Sequence, residues 1–120
     1  MKLDHINLTV RDVAAASSFL RKHFGYRDLF EDDDAGMVAL EDGSGLAVLL
    51  MKGAQASYPK MFHVGFDVET QEGVDAVHRA LVADGMEIEP PKAVPWGSYT
   101  FHFTIPGGDF TIEVACAAAD

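Results

Sequence analysis

Three side chains in this sequence have the types and the spacing to hold a divalent metal ion: His5, His63 and Glu113. The two histidines stand 58 residues apart, and each opens a stretch in which polar and apolar residues alternate. Ile6, Leu8 and Val10 alternate with His5, Asn7 and Thr9; Val64, Phe66 and Val68 alternate with His63, Gly65 and Asp67. Period-two alternation is the mark of a half-buried strand, so each histidine falls on the polar face of its strand. Late in the chain, Phe110, Ile112 and Val114 form the apolar set, which puts Thr111 and Glu113 on the same side as the histidines. If two such faces meet, two imidazoles and one carboxylate converge. That set leaves coordination positions open for water and substrate. Taken singly, each of the three reads as a residue on a solvated sheet face; the shared register in both halves favours a metal site. His102, which alternates with Phe101 and Phe103, is a further candidate, because an imidazole there is able to act as general acid or base near neutral pH. The competing reading is a surface histidine on an edge strand.

The elements that must carry these residues repeat once. The first half reads as strand Leu3–Val10, helix Val13–Phe24 and strands Tyr26–Phe30, Met37–Leu40 and Leu46–Met51. Asp12 is placed to cap the helix and Gly25 to end it. The second half reads as strand Phe62–Val68, helix Gln71–Asp84 and strands Met86–Glu89, Tyr99–Thr104 and Phe110–Ala115, with Thr70 and Gly85 as the helix boundaries. Pro90, Pro91 and Pro95 mark a loop between two of these strands. The predicted fold is α+β: two tandem βαβββ modules, 1–52 and 61–120, forming a cleft within a single domain, with 53–60 as the linker.

Composition narrows the partners. Nine basic against nineteen acidic residues give a net charge of −10, so nucleic acid and anionic membrane surfaces are excluded as partners. One cysteine, Cys116, excludes a disulfide framework. The apolar stretches Leu46–Met51 and Val114–Ala119 are too short to span a bilayer, and the charged start Met1-Lys2-Leu3-Asp4-His5 is unlike a signal peptide, which predicts a cytoplasmic protein.

Several segments together resemble the vicinal oxygen chelate superfamily, which groups glyoxalases, bleomycin- and fosfomycin-resistance proteins, methylmalonyl-CoA epimerases and extradiol dioxygenases. They are Leu3-Asp4-His5-Ile6-Asn7-Leu8-Thr9-Val10, Phe19–Gly25, Phe62-His63-Val64-Gly65-Phe66 and the closing Ile105-Pro106-Gly107-Gly108-Asp109-Phe110-Thr111-Ile112-Glu113. Ile105 and Gly107 replace the two aspartates usual in that closing turn. The resemblance implies paired βαβββ modules around a divalent metal (Fe, Mn, Zn, Ni or Co), with His5, His63 and Glu113 as ligands. It implies a metal-dependent dioxygenase or lyase/transferase acting on a small molecule with vicinal oxygens, and a homodimer. Leu49, 64 residues before Glu113, falls where glyoxalase I and the epimerase carry a carboxylate or amide, which disfavours glyoxalase I activity. His102 falls where dioxygenases and fosfomycin enzymes carry a tyrosine, and Asn7 where fosfomycin enzymes typically carry threonine.

A second reading is a metal-free protein resembling the bleomycin-resistance proteins, holding a cationic drug in an acidic dimeric cleft. A third is a degenerate member with a scaffolding role only. His23 and His78 read as solvated helix residues, Glu31-Asp32-Asp33-Asp34 as a hydrated turn and Cys116 as a packed or frayed thiol. Tyr58, Trp96 and Tyr99 are open between lining a cleft mouth, making a dimer contact and packing loops.

Overall fold

The computed structural model describes residues 1–34, 36–54 and 57–117. Parts of the predicted linker 53–60 and of the stretch Val114–Ala119 lie outside them. The element order is β1 (His5–Val10), α1 (Val13–Phe24), β2 (Arg27–Asp32), β3 (Met37–Glu41), β4 (Ala47–Lys52), β5 (His63–Asp67), α2 (Gln71–Ala83), β6 (Lys92–Ala93), β7 (Ser98–Thr104) and β8 (Thr111–Ala117). This is βαβββ twice, as the periodicity predicts. The strands form two four-stranded sheets, ordered β1-β4-β3-β2 and β5-β8-β7-β6. In each, the first strand pairs in parallel with the last and the other pairings are antiparallel.

Residues Met1–Tyr58 and Ile105–Asp109 make one compact unit, and Pro59–Thr104 with Phe110–Asp120 the other. In the first unit α1 packs on β3 and β4. Ala16, Phe19 and Leu20 are buried, as are Leu8, Val10, Val38, Leu40, Val48 and Leu50. Apart from Ala16, burying side chains of this size favours the fold by about 1.5–3 kcal/mol each. The helix starts where Asp12 accepts the Ala15 amide at 3.0 Å and ends at Gly25, whose φ of 72° is left-handed. Basic Arg21, Lys22 and His23 occupy its last turn, where the helix dipole favours them.

The tip Ile105–Asp109 completes this unit. The carbonyl of Gly107 accepts both the Arg11 and Asp12 amides at 2.9 Å, the second of them an N-cap donor that the helix leaves without an intrahelical partner. The approach is close: a Cβ on Gly107 would lie 2.6 Å from the carbonyl oxygen of Asp12.

In the second unit α2 packs on β7 and β8. Thr70 accepts the Gly73 amide at 2.9 Å, and after Asp84 the Gly85 and Met86 amides close back on Val82 and Leu81. Val74, Leu81, Phe101, Phe103, Ile112 and Val114 are buried.

Three expectations are corrected. The strand predicted at Met86–Glu89 forms instead at Lys92–Ala93. Pro90 and Pro91 have no N–H to give a ladder, so pairing with β7 begins only after them. His78 is only half-solvated: its Nε2 lies 3.1 Å from the Ile88 carbonyl and its ring stands edge-on to Phe101, which ties the 86–90 segment to α2. The acidic run is only half a turn, since Glu31 and Asp32 belong to β2, an edge strand exposed along its whole length. Cys116 is buried. Tyr58 holds the Thr9 backbone through both its amide and its carbonyl, and Tyr99 donates to Asp75 at 2.6 Å.

Candidate metal centre

His63, His102 and Glu113 come together on one face of the second sheet. Register explains why. Glu113 in β8 pairs with Gly65 in β5 on one side and with His102 in β7 on the other, while His63 stands two residues before Gly65 on the same face. Nε2 of His102 lies 2.7 Å from Oε2 of Glu113. The His63 and His102 rings meet edge to face, with centroids 6.3 Å apart. Glu113 is 25% exposed and His102 48%.

His63 is held by its backbone. Its Nδ1 lies 3.1 Å from the Met61 carbonyl. A carbonyl only accepts, so Nδ1 is the donor, and in the neutral ring the lone pair is then on Nε2. In the first unit His5 is held the same way by a different acceptor: Nδ1 is 2.6 Å from Oδ1 of Asp4. The hydrogen bond from His5, and then its charge, holds the Asp4 carboxyl below the ordinary carboxylate range. In both histidines Nδ1 is thus engaged by an oxygen acceptor close by in sequence.

Around His63, His102 and Glu113 is a cavity of about 340 Å³ whose rim includes Lys60, Met61 and Trp96. Trp96 is 79% exposed and Met61 84%, so two apolar side chains stand free beside a polar floor. A larger cavity of about 550 Å³ opens where β7 runs past the end of β6, beside the 86–90 segment. His102 lines it too, but His63 and Glu113 do not.

The matching positions of the first sheet repeat this plan with different chemistry. Leu49 is flanked by Asn7 and Ala39 as Glu113 is by Gly65 and His102. The offset of 64 residues therefore does align Leu49 with Glu113. Asn7 donates to the Met51 sulfur at 2.9 Å. Among the described residues, no three His, Cys, Asp or Glu side chains already stand as a group able to hold a metal ion. His63 and Glu113 lie in the second unit and His5 in the first.

The family model of the Glyoxalase/Bleomycin resistance protein/Dioxygenase superfamily matches residues 2–114. The chain belongs to this superfamily. Among curated relatives, the fosfomycin resistance protein FosX of Listeria monocytogenes is 26% identical over 94 residues, 75% of this chain and 70% of FosX. Among solved structures, a possible glyoxalase from Bacillus cereus is 46% identical with a TM-score of 0.87, covering 97% of this chain and 99% of its own. A mutant of Listeria monocytogenes FosX, complexed with Mn(II) and 1S,2S-dihydroxypropylphosphonic acid, shares the fold at a TM-score of 0.78 and 22% identity, covering 98% and 92%. This member of the superfamily has no described helix long and apolar enough to cross a membrane.

Proposed function

We propose that the protein is a divalent-metal enzyme, with His5, His63 and Glu113 as the ligands and a small molecule offering two neighbouring oxygens as the substrate. The observation that carries this reading is the matched state of the two histidines. Each has Nδ1 engaged by an oxygen acceptor, Asp4 in one case and the Met61 carbonyl in the other, so the neutral ring would offer Nε2 to a metal. Glu113 adds the single negative charge, and two imidazoles with one carboxylate fit Mn, Fe, Co, Ni or Zn. The Mn(II) in a FosX relative makes manganese the first to try.

When bound, the metal supplies Lewis acidity toward the substrate oxygens. The chain's own residues do the rest. Trp96 and Met61 give the substrate body an apolar wall, and Lys60 offers a cation at the rim. Leu49 cannot take or give a proton, so a carboxylate acting from that position has no part in the reaction. Dioxygenase or lyase/transferase chemistry through open coordination sites fits better than glyoxalase I chemistry.

The active species is a homodimer, with His5 drawn from the same chain as His63 or from its partner. A mixture of His5→Ala and His63→Ala chains separates the two, because it regains intact sites only if ligands are shared between chains. The test of the whole reading is elemental analysis after dialysis against Mn(II). One metal per chain is expected, lost in His5→Ala, His63→Ala and Glu113→Gln. A chain that takes up no metal yet binds a cationic aromatic ligand would be a drug trap instead.

A further inference from the structure

We propose that His102 is the positioning residue of Glu113, fixing one carboxylate oxygen so that the other is presented on the His63 side. The inference rests on Glu113 being a metal ligand and says how this chain aims it. An ionised carboxylate only accepts hydrogen bonds, so the 2.7 Å contact to Oε2 requires His102 to donate from Nε2. The two residues are direct partners across the antiparallel β7–β8 ladder, which brings the side chains together without strain. The other oxygen, Oε1, then lies over Gly65, where a Cβ would be 3.9 Å away. Gly65 is the β5 residue opposite Glu113, and His63 precedes it by two on the same face.

The terminal torsion of a glutamate is broad, so an unrestrained Glu113 would spread its oxygens over many directions. The bond from His102 selects one. The edge-on packing of the His63 ring against His102 limits the swing of His102 in turn. An acid–base role at substrate, the alternative for His102, would have to run through Nδ1, because Nε2 is committed to Glu113.

The test is Mn(II) affinity of the apo protein, read from the electron paramagnetic resonance signal of free Mn(II), with thermal melting of the apo protein alongside. His102→Ala is expected to weaken Mn(II) by about 10–100-fold, the usual cost of removing a group that orients a ligand, with the apo melting temperature unchanged. His102→Gln, which keeps an N–H donor, should recover part of the loss. Glu113→Gln should remove high-affinity binding altogether. If Glu113→Gln abolishes binding while His102→Ala binds like the parent, the positioning role is overturned and the metal reading stands. An affinity loss in His102→Ala that His102→Gln does not recover also overturns it. If Glu113→Gln itself binds Mn(II) normally, the metal reading falls and this inference with it.

Discussion

Gly65 lies directly across the parallel β5–β8 ladder from Glu113, close enough that any side chain there would grow toward Oε1. Glycine is a poor strand residue, costing roughly 0.5–1 kcal/mol relative to alanine. Its backbone is in no left-handed conformation here, so nothing local demands it. Gly65→Val should raise the apo stability by about 0.5–1 kcal/mol, since a β-branched residue suits a strand. The same change should weaken Mn(II) at least about tenfold by occupying the space in front of Oε1, a loss of the size expected where ligand orientation is disturbed. Melting curves and metal titrations on one preparation check both. A stabilised variant with parental affinity would show that the space is not needed.

Trp96 is the sole tryptophan of the chain and lines the cavity that holds His63 and Glu113. Its fluorescence therefore gives a single indole reporter at the rim of that cavity. Co(II) should quench the emission with saturation at one equivalent per chain, and His63→Ala should abolish the quenching. Emission unaffected by Co(II), in a protein shown to bind it, would place the ion elsewhere.

Gly107 has a φ of 80° and no room for a Cβ against the Asp12 carbonyl. Gly107→Ala should cost about 1–3 kcal/mol, the range for a residue forced into a sparsely populated backbone region. Urea unfolding should show a lowered midpoint with an unchanged slope.

Tyr26 gives the alkaline limit. Burial, and then the charge of Asp42, push its hydroxyl up to about 12 in the fold, against an ordinary value near 10. The folded protein thus holds this proton more tightly than the unfolded chain. The contribution is fully present below pH 10 and is lost as pH climbs toward 12, with a limiting slope of about 1.4 kcal/mol per pH unit. Tyr26→Phe should flatten that fall in urea titrations at pH 9–12. An equal fall in the variant would assign alkaline lability to other groups.

Much of this was legible in the sequence because parity and caps are local. Helix α1 begins and ends where Asp12 and Gly25 indicate, and the period-two alternation assigns His63 and Glu113 to one face. The alignment of Leu49 with Glu113 followed from the repeat offset and holds in the strand registers. What escaped was not local. β6 moved beyond Pro90 and Pro91 because a ladder needs amides that prolines lack, although Met86 and Ile88 alternate like strand residues. His78 looked solvated because its acceptor, the Ile88 carbonyl, is presented by a loop ten residues away. The bond between His102 and Glu113 depends on the length of the β7–β8 hairpin, and the two Nδ1 contacts depend on ring rotation. Neither is written in residue type.

The five residues Ile105–Asp109 come late in the chain but finish the unit begun at Met1, with Ile105 only 2% exposed and the Gly107 carbonyl seated on the start of α1. During synthesis, then, the half that leaves the ribosome first is completed only after nearly all of the other half has been made. Until residue 109 emerges, the nascent N-terminal portion has a gap where Ile105 belongs and two amides without their acceptor. A chain severed between its halves should mature only when both pieces are present together.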